Sequence, residues 1–283
     1  MKFAAVVITY FPGDDFLDNI ATYLNHIDRL YIADNSDPSF SFPEQLSNNP
    51  KITILADGVN RGIAVRLNQV MEMAANEGYD WMLTMDQDSS FNAEQLQQYL
   101  VNIRNFKQQE TVAMFGVETG KTPESPSAAF EPSRLLITSG SMVNLHLSKQ
   151  TGGFDERLFI DGVDHAYCFQ AGRLGFETVR FTGIYLNHNL GTRHTVRSLK
   201  SLQQTSRALH PPFRLYYMFR NFQYLSKIYE ADFPEEFALL KKDLYNRIKN
   251  HLLYGSGKMR TLKALLKARK DFREGSMGKQ SVR

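Results

Sequence analysis

A pair of acidic residues, Asp86 and Asp88, carries the strongest chemical signal in the chain. They follow the apolar run Trp81–Met85, which has the character of a buried strand, and they precede two serines. Two carboxylates one residue apart can hold a divalent cation against a diphosphate, and such hard oxygen ligands suit Mg²⁺ or Mn²⁺. Ligands of open α/β sheets bind beyond the carboxyl ends of strands. The position therefore favours a metal site over a chance match or a cap for the next helix.

The segments around this pair alternate between strand-like and helix-like patterns, which is typical of an α/β sheet. Two stretches rich in Pro, Ser, Ala or Gly, 120–132 and 151–159, are expected to be loops. The α/β body is expected to end near Leu190. The predicted strands are 2–10, 29–33, 51–56, 81–85, 111–117 and 134–144, and the predicted helices are 14–26, 61–78, 93–106 and 164–174.

The last third of the chain has a different pattern. From Arg197 onward it is helical, with breaks at 211–212, at Pro234 and at 255–257. A chain of 283 residues is long enough for one large domain with an appendage. We therefore predict an α/β domain of residues 1–195 and a helical extension of residues 196–283.

The cysteine content and the lengths of the apolar segments indicate the cellular compartment in which the protein is expected. The single cysteine, Cys168, has no partner for a disulfide within the chain, which fits a reducing compartment. The short apolar start meets a glycine and two aspartates without a small-residue cleavage site, so a signal peptide is not expected. No run of about 18 apolar residues occurs, which argues against a transmembrane helix. We expect a cytoplasmic protein.

The charge is unevenly distributed. Residues 241–283 contain 13 Lys or Arg and 3 Asp or Glu, a net charge of +10 against +3 for the whole chain, so the rest carries −7. Segments there interleave Leu and Tyr with Lys and Arg, as helices at bilayer surfaces do. An anionic membrane is favoured over nucleic acid, because no nucleic-acid motif accompanies the charge. We expect peripheral attachment at the inner face of the plasma membrane and no nucleic-acid partner; a solvated pair of basic helices is the alternative.

Ordered sequence blocks between residues 3 and 224 resemble family 2 glycosyltransferases of the GT-A fold, and within them the bacterial rhamnosyltransferases. The resemblance implies a Rossmann-like mixed sheet flanked by helices, followed by a helical extension. The blocks are VVITYFPGD at 6–14, IADNSD at 32–37, NRGIAVRLNQ at 60–69, TMDQDS at 84–89, ITSGSMV at 137–143, GGFDERLFIDGVDHAYC at 152–168, LNHNLG at 186–191 and PPFRLYYMFRN at 211–221.

The same resemblance implies the reaction. The expected activity is transfer of a sugar, with inversion, from a nucleotide-sugar donor to a saccharide or lipid-linked glycan in cell-surface polysaccharide synthesis. The favoured donor is deoxythymidine diphosphate (dTDP) rhamnose. Donor choice depends on the shape of the pocket, so a uridine diphosphate (UDP) hexose stays open as the alternative.

Residues at strand ends would bind the donor nucleotide, according to the resemblance. Thr9 and Tyr10 would border the nucleoside, and Asp34 would hydrogen-bond the base or the ribose unless it only forms an Asx-turn. Asp57 would also contact the base. The segment Asn60, Arg61 and Gly62 would approach the donor closely, because glycine permits close backbone contact, although Asn60 alone is equally explained as a helix cap.

Asp164, in the DGVD segment, matches the family's general base, which takes the proton from the acceptor hydroxyl as it attacks the anomeric carbon. A single base opposite the leaving group predicts inversion. Asp161 is the rival, and either acid could instead cap the helix that begins near His165. Many relatives carry Thr-Glu-Trp-Cys after this aspartate, whereas this chain has His-Ala-Tyr-Cys, so local acceptor contacts are expected to differ.

The remaining expected site residues have strong structural alternatives. His188 is a candidate third metal ligand or diphosphate contact, although a lone histidine is often structural. Arg214 and Arg220 are candidates to neutralise the leaving diphosphate, or they are solvated residues of an amphipathic helix. Ser139 would line the acceptor pocket or form an ordinary turn at a strand end.

Other functional classes fit the sequence less well. The segment GSGK at 255–258 lacks the first glycine and the Ser or Thr of a phosphate loop, and no G-x-G-x-x-G follows the first strand. A nucleotidyltransferase would need a Gly-rich, Arg-containing loop after that strand. A non-catalytic sugar-nucleotide-binding protein would be expected to lack Asp88 or Asp164, and both are present.

Overall fold

The computed structural model describes residues 1–120, 127–188, 193–197 and 203–280. They form two compact units: Met1–Glu156 with Val163–Asn189, and Arg157–Gly162 with Leu190–Arg283. The short segment Arg157–Gly162 thus belongs to the second unit although it interrupts the first in sequence. No helix in the described part of the chain is both long enough and apolar enough to cross a bilayer.

The first unit is a mixed sheet with helices. Its strands are β1 (Phe3–Thr9), β2 (Arg29–Asp34), β3 (Ile52–Leu55), β4 (Trp81–Asp86), β5 (Ser89–Phe91), β6 (Val112–Thr119), β7 (Phe130–Pro132), β8 (Ser141–Asn144) and β9 (Glu177–His188). Its helices are α1 (Phe16–Leu24), α2 (Glu44–Ser47), α3 (Ile63–Asn76), α4 (Ala93–Asn105), α5 (Leu145–Thr151) and α6 (Val163–Arg173), with a 3-10 turn at Gln109–Thr111.

The sheet order is β3-β2-β1-β4-β8-β6-β9-β5, and β7 also pairs with β9. Strands β3, β2, β1 and β4 are parallel, whereas β8 runs antiparallel between β4 and β6. The central strands are buried almost throughout, because helices cover both faces of the parallel part. This arrangement confirms the predicted mixed α/β sheet.

The parallel register aligns the carboxyl ends of three strands. Thr9 of β1 pairs with Asp34 of β2, and Ile8 pairs with Asp86 of β4. At the other side of the sheet, antiparallel pairing of β5 with β9 sets Ser89 opposite His188. Residues 86–88 and 188 therefore meet at one edge of the sheet, although about 100 positions separate them in sequence.

The second unit contains a hairpin of β10 (Arg193–Arg197) and β11 (Gln204–Ala208), followed by α7 (Pro212–Tyr229), α8 (Pro234–Tyr254) and α9 (Lys258–Arg273). Proline occupies the first turn of α7 and of α8, where its missing N–H costs nothing. The breaks expected at 211–212, 234 and 255–257 are confirmed. Helix α9 packs against α7 through Ala268 and the rings of Tyr216 and Tyr217.

Three expectations for secondary structure were wrong. The chain after Arg197 does not begin with a helix, because Gln204–Ala208 pairs as a strand; its sequence, QTSRA, has no apolar residues at helical spacing. Within 120–132, where a loop was expected and where residues 121–126 lie outside the described part, Phe130–Pro132 is a strand. The strand expected over 134–144 spans only Ser141–Asn144. Asn144 then caps α5, its Oδ1 accepting from the N–H groups of His146 and Leu147.

Candidate metal and nucleotide-binding site

Asp86, Asp88 and His188 form a cluster with the chemistry of a metal centre. One ligand atom from each lies within 4.8 Å of the others. The imidazole Nε2 of His188 is 3.6 Å from Oδ2 of Asp86 and 3.6 Å from Oδ1 of Asp88. These separations exceed a hydrogen bond but match neighbouring ligands of one ion, which lie about 3–4 Å apart when each bond is about 2.1 Å.

The surroundings of His188 fit a metal ligand. The side chain is only 12% exposed, whereas Asp86 and Asp88 are 39% and 43% exposed, so the cluster opens to solvent on its acidic side. Its other ring nitrogen, Nδ1, is buried without a hydrogen-bond partner among the described residues. Two carboxylates and one imidazole can together hold a divalent cation such as Mg²⁺ or Mn²⁺. The residues present therefore fit the divalent cation expected from the sequence.

The residue between the two aspartates was missed by the sequence analysis. Gln87 Oε1 accepts from the N–H of Tyr10 at 2.7 Å, and its Nε2 donates to the Tyr10 carbonyl at 3.3 Å. Asn19 Nδ2 donates to the Gln87 carbonyl at 3.0 Å. These bonds tie the acidic turn to the end of β1. The sequence offered no signal for these contacts, because Gln87 lies in a turn between β4 and β5 and its partners come from distant segments.

Two aromatic side chains stand exposed at this end of β1. Tyr10 is 55% exposed and Phe11 47%, and their rings meet edge to face at 4.8 Å between centroids. Phe11 has a φ of 44°, which is unusual for a residue with a side chain and marks a constrained turn. Ser36 Oγ accepts from its N–H at 2.7 Å and holds that turn. The ring of Tyr10 is therefore accessible at this end of β1, and its contact with a nucleoside stays a prediction.

Thr9 and Asp34 have structural partners. Both are fully buried, and Asp34 Oδ1 accepts from the hydroxyl of Thr9 at 2.9 Å. The same carboxylate accepts from the N–H and Oγ of Ser36 and from the N–H of Phe40. The bond to the N–H two residues on is the Asx-turn considered as the alternative. The geometry favours that alternative for Asp34, whose oxygens are satisfied within the protein.

Asp57 lies in an arginine network that the sequence did not reveal. Arg66, only 2% exposed, donates to both oxygens of Asp57, and Arg61 Nε donates to Oδ2 at 2.7 Å. These bonds, with that from the Arg66 guanidinium foremost, hold the pKa of Asp57 well below its usual value. The sequence signal that could have pointed to Arg66 is its position on the face of α3 that also carries Leu67 and Val70, where a charged residue needs internal partners.

Arg66 also joins two strand ends. Its Nη2 donates to the carbonyls of Asp34 at 2.7 Å and Val59 at 3.0 Å, and its Nε donates to Asn35 Oδ1 at 3.2 Å. The loops after β2 and β3 are thereby fixed to each other. A shallow depression lined by Asp57 and Arg66 opens beside them.

The segment before α3 forms a tight turn that requires glycine. Gly62 caps the helix with φ 87° and ψ 170°, a conformation that residues with side chains avoid. Asn60 is not the cap residue; its Oδ1 accepts from the Gly62 N–H at 3.1 Å and shapes the turn. Arg61 is half-exposed, and its N–H donates to Asn35 Oδ1 at 3.0 Å. Contact of these three residues with a donor stays a prediction.

Asp164 lies in the first turn of α6 and is partly exposed. Its Oδ1 accepts from the N–H of His165 at 2.9 Å. Because α6 packs on β9 and leads into it through only residues 174–176, the helix runs antiparallel to that strand. The start of α6 therefore lies on the side of the sheet towards which β9 runs. A role for Asp164 as a general base stays a prediction.

Asp161, the rival base, has a different environment in the second unit. The Arg214 guanidinium donates to it from Nε at 3.0 Å and from Nη2 at 2.7 Å, a two-pronged ion pair. The pair engages both oxygens of the Asp161 carboxylate, and the choice between Asp161 and Asp164 as the base stays a prediction. The same pair occupies Arg214, which was expected at the diphosphate.

Arg220 and Ser139 also take structural positions. Arg220 is 1% exposed, lies over the rings of Tyr216 and Tyr217, and donates to the carbonyl of Gly278 at 3.0 Å. A buried guanidinium with these partners favours a role in packing rather than in diphosphate binding. Ser139 is buried, and its Oγ accepts from the N–H of Asp86 at 3.2 Å, so it supports the acidic strand end from behind.

Comparisons with known proteins agree with this architecture. The chain is 26% identical over 240 residues to the dTDP-rhamnosyl transferase RfbF of Shigella flexneri, which covers 77% of each chain. It superposes on S. aureus TarS with a TM-score of 0.57 and 15% identity, covering 97% of this chain and 49% of TarS. A shorter TarS structure in complex with UDP-GlcNAc gives a TM-score of 0.56 at 15% identity and covers 98% and 82% of the two chains. No family model matches the chain.

A third structure, GalNAc-T7 with UDP, GalNAc and Mn²⁺, gives a TM-score of 0.58 at 10% identity and covers 97% of this chain and 56% of the other. The chain thus spans about half the length of the longer TarS structure and of GalNAc-T7. These likenesses show the fold, and the resemblance to proteins of the GT-A type is confirmed.

Proposed function

We propose that this chain, which has the fold of GT-A glycosyltransferases, transfers a sugar with inversion from a nucleotide-sugar donor to a saccharide acceptor. The cluster of Asp86, Asp88 and His188 at the carboxyl edge of the sheet carries the proposal. These residues would hold Mn²⁺ or Mg²⁺, which when bound neutralises charge on a leaving diphosphate. Membership of family 2 is part of the proposal and is supported by the ordered sequence blocks.

The nucleoside is proposed to lie along the ends of β1, β2 and β3. The exposed ring of Tyr10 and the backbone of residues 60–62 border that edge, and Asp57 is held ionised and oriented by Arg66. Asp34 and Thr9 support the edge from inside. We leave Arg214 and Arg220 out of the donor site, because Asp161 and the carbonyl of Gly278 already engage them.

Deoxythymidine diphosphate rhamnose is the favoured donor. Similarity to a protein named dTDP-rhamnosyl transferase supports it. A uridine nucleotide is the alternative, supported by the structures that contain UDP-GlcNAc or UDP. A nucleotidyltransferase or a non-catalytic sugar-nucleotide-binding protein is disfavoured, because a carboxylate in the proposed base position, Asp164, accompanies the acidic cluster.

Asp164 is proposed to remove the proton from the attacking hydroxyl. As the acceptor oxygen forms its bond to the anomeric carbon, the bond from that carbon to the diphosphate oxygen breaks, and the proton moves to Asp164. Attack from the face opposite the leaving group inverts the anomeric configuration. The acceptor is proposed to be a saccharide or lipid-linked glycan of a cell-surface polysaccharide.

Calorimetric titration of dTDP, UDP, GDP and CDP into the protein, with and without Mn²⁺, tests the donor class without knowledge of the acceptor. We expect Mn²⁺-dependent binding that is tightest for dTDP. Preference for UDP would support sugar transfer from a uridine nucleotide instead of dTDP-rhamnose. Absence of binding to every nucleotide would refute the proposal.

Two variants separate binding from transfer. Asp88→Asn should lose the Mn²⁺-dependent part of nucleotide affinity. Asp164→Asn should bind the donor normally and transfer sugar at least about 100-fold more slowly, because it lacks the general base. Normal transfer by Asp164→Asn would exclude the assigned base.

A further inference from the structure

Helix α9 presents an outward face that combines apolar and basic side chains. Met259 and Leu266 are 66% and 69% exposed, and Leu262, at the intervening helical position, is also exposed. Their spacing of three and four residues places them on one stripe. Large apolar side chains this exposed are individually ordinary, but a stripe of three on one helix indicates a surface that contacts something apolar.

Basic side chains flank this stripe on both sides. The helix contains seven Lys or Arg and a single acidic residue, Asp271. Lys267 pairs with Asp271 and Lys270 with Glu274. Five further cations have no acidic partner within the described part of the chain: Lys258, Arg260, Lys263, Arg269 and Arg273. The positive charge of the face is therefore largely uncompensated.

The opposite side of α9 is fixed to the rest of the second unit. Thr261 and Ala268 are fully buried, and Ala268 packs against Tyr216 and Tyr217 of α7. The Asp271 carboxylate accepts from the hydroxyl of Tyr216. Because these contacts set the rotation of the helix, the apolar stripe and its basic flanks are held outward. A shallow depression on this face is lined by Leu266, by the basic residues Arg269, Lys270 and Arg273, and by Glu274, which pairs with Lys270.

We propose that the outward face of α9 docks on an anionic lipid bilayer. The apolar stripe of Met259, Leu262 and Leu266 enters the boundary between headgroups and acyl chains, and the flanking cations contact headgroup phosphates. The charge complementarity and the narrow apolar stripe between cations match helices that lie in a bilayer surface. A partner protein of the usual kind would meet a face with fewer lysines, since lysine is depleted in protein interfaces.

Co-sedimentation of the full chain with phosphatidylcholine vesicles, with and without phosphatidylglycerol, tests this docking. We expect binding only to the anionic vesicles and weakening by added salt, because surface charge interactions are screened. The proposal does not depend on the sugar-transfer reaction, so failure of either leaves the other intact.

Matched variants locate the interface. Each basic residue near an anionic surface contributes about fivefold in affinity, so Lys263→Gln with Arg269→Gln should weaken binding about 25-fold. Lys107→Gln with Lys149→Gln removes the same charge from exposed sites of the first unit and should leave binding unchanged. Leu266→Trp should show a blue shift of its fluorescence with anionic vesicles, because the ring leaves water.

Several results would overturn the proposal. One is equal binding to neutral and anionic vesicles. Another is an equal loss of vesicle affinity in the α9 double variant and in the control double variant. A third is the absence of a blue shift in Leu266→Trp when the protein sediments. A dimer in solution that Leu266→Asp dissociates would assign the face to a second copy of the chain, and salt-sensitive binding to duplex DNA without vesicle binding would assign it to nucleic acid.

Discussion

Replacement of Arg66 by methionine should disconnect the strand ends that carry the proposed nucleoside site. Methionine keeps much of the buried volume but removes every donor of the guanidinium. The carbonyls of Asp34 and Val59 and the amide oxygen of Asn35 then each lose a bond, while Asp57 can turn to solvent. At about 1 kcal/mol for each lost hydrogen bond, plus the lost ion pair, we expect a loss of about 3–5 kcal/mol in unfolding free energy.

Arg61→Met is the matched control, because Arg61 donates to the same carboxylate from an exposed position. Its side chain is 41% exposed, against 2% for Arg66. Exposed ion pairs contribute at most about 1 kcal/mol, so the control should change stability little. Differential scanning calorimetry should then show a fall of roughly 10 °C in the first unfolding transition of Arg66→Met and of only a few degrees in Arg61→Met.

Nucleotide affinity gives a second readout. At a temperature where Arg66→Met is still folded, its affinity for the preferred nucleotide should fall at least about tenfold, because the loops after β2 and β3 are no longer fixed to each other. An equal loss of unfolding free energy in Arg66→Met and Arg61→Met would refute this prediction, since burial of the guanidinium would then contribute nothing to stability.

Three further predictions follow from other contacts. Gln87→Met should weaken Mn²⁺-dependent nucleotide binding and change the unfolding free energy by no more than about 1 kcal/mol, because only the bonds to the Tyr10 backbone are lost. Unchanged nucleotide affinity in titration calorimetry would show that Gln87 does not position the site. The pKa of Asp57 is lowered in the folded state, so its charge stabilises the protein at pH values above the unfolded pKa of 3.8. In urea titrations, the difference in unfolding free energy between wild type and Asp57→Asn should shrink as the pH falls below about 4. A difference that stays constant with pH would contradict the lowered pKa. Burial raises the pKa of Cys168 to about 12, so a thiol reagent at neutral pH should modify it only after unfolding, and rapid labelling of the native protein would contradict the buried position.

How much of the site could be predicted depends on whether its signal is local. Asp86 and Asp88 were identified because an apolar strand ends directly before them. His188 became a ligand candidate through the resemblance and through its position at the end of the α/β body, with Asn and Gly around it, because LNHNLG itself specifies no metal. Its proximity to Asp88 comes from the pairing of β5 with β9, and β5 is three residues long in a segment of serines. A strand this short has too little pattern to be predicted.

Prediction of the fold also succeeded where the sequence pattern is local and failed where it is not. Strands β1, β2 and β4 have long apolar runs and were predicted within one or two residues. The hairpin of β10 and β11 was missed, because its polar sequence has no apolar face to set a period. Arg66 was missed for a related reason: an arginine on the apolar face of α3 conflicts with the pattern used to predict that helix, and its partners come from two other loops.

Carboxylates at one sheet edge can serve either the protein or a ligand, and only their partners distinguish the two roles. Asp34 accepts four internal hydrogen bonds and Asp57 is paired with two arginines, so both carboxylates are engaged within the fold. Asp86 and Asp88 instead face the Nε2 of His188 at 3.6 Å, beyond hydrogen-bond length, in an opening that solvent reaches. Like charges so close together repel each other unless a cation lies between them. Asp34 and Asp57 therefore build the edge, and Asp86, Asp88 and His188 form the part of it at which we propose that a divalent ion binds.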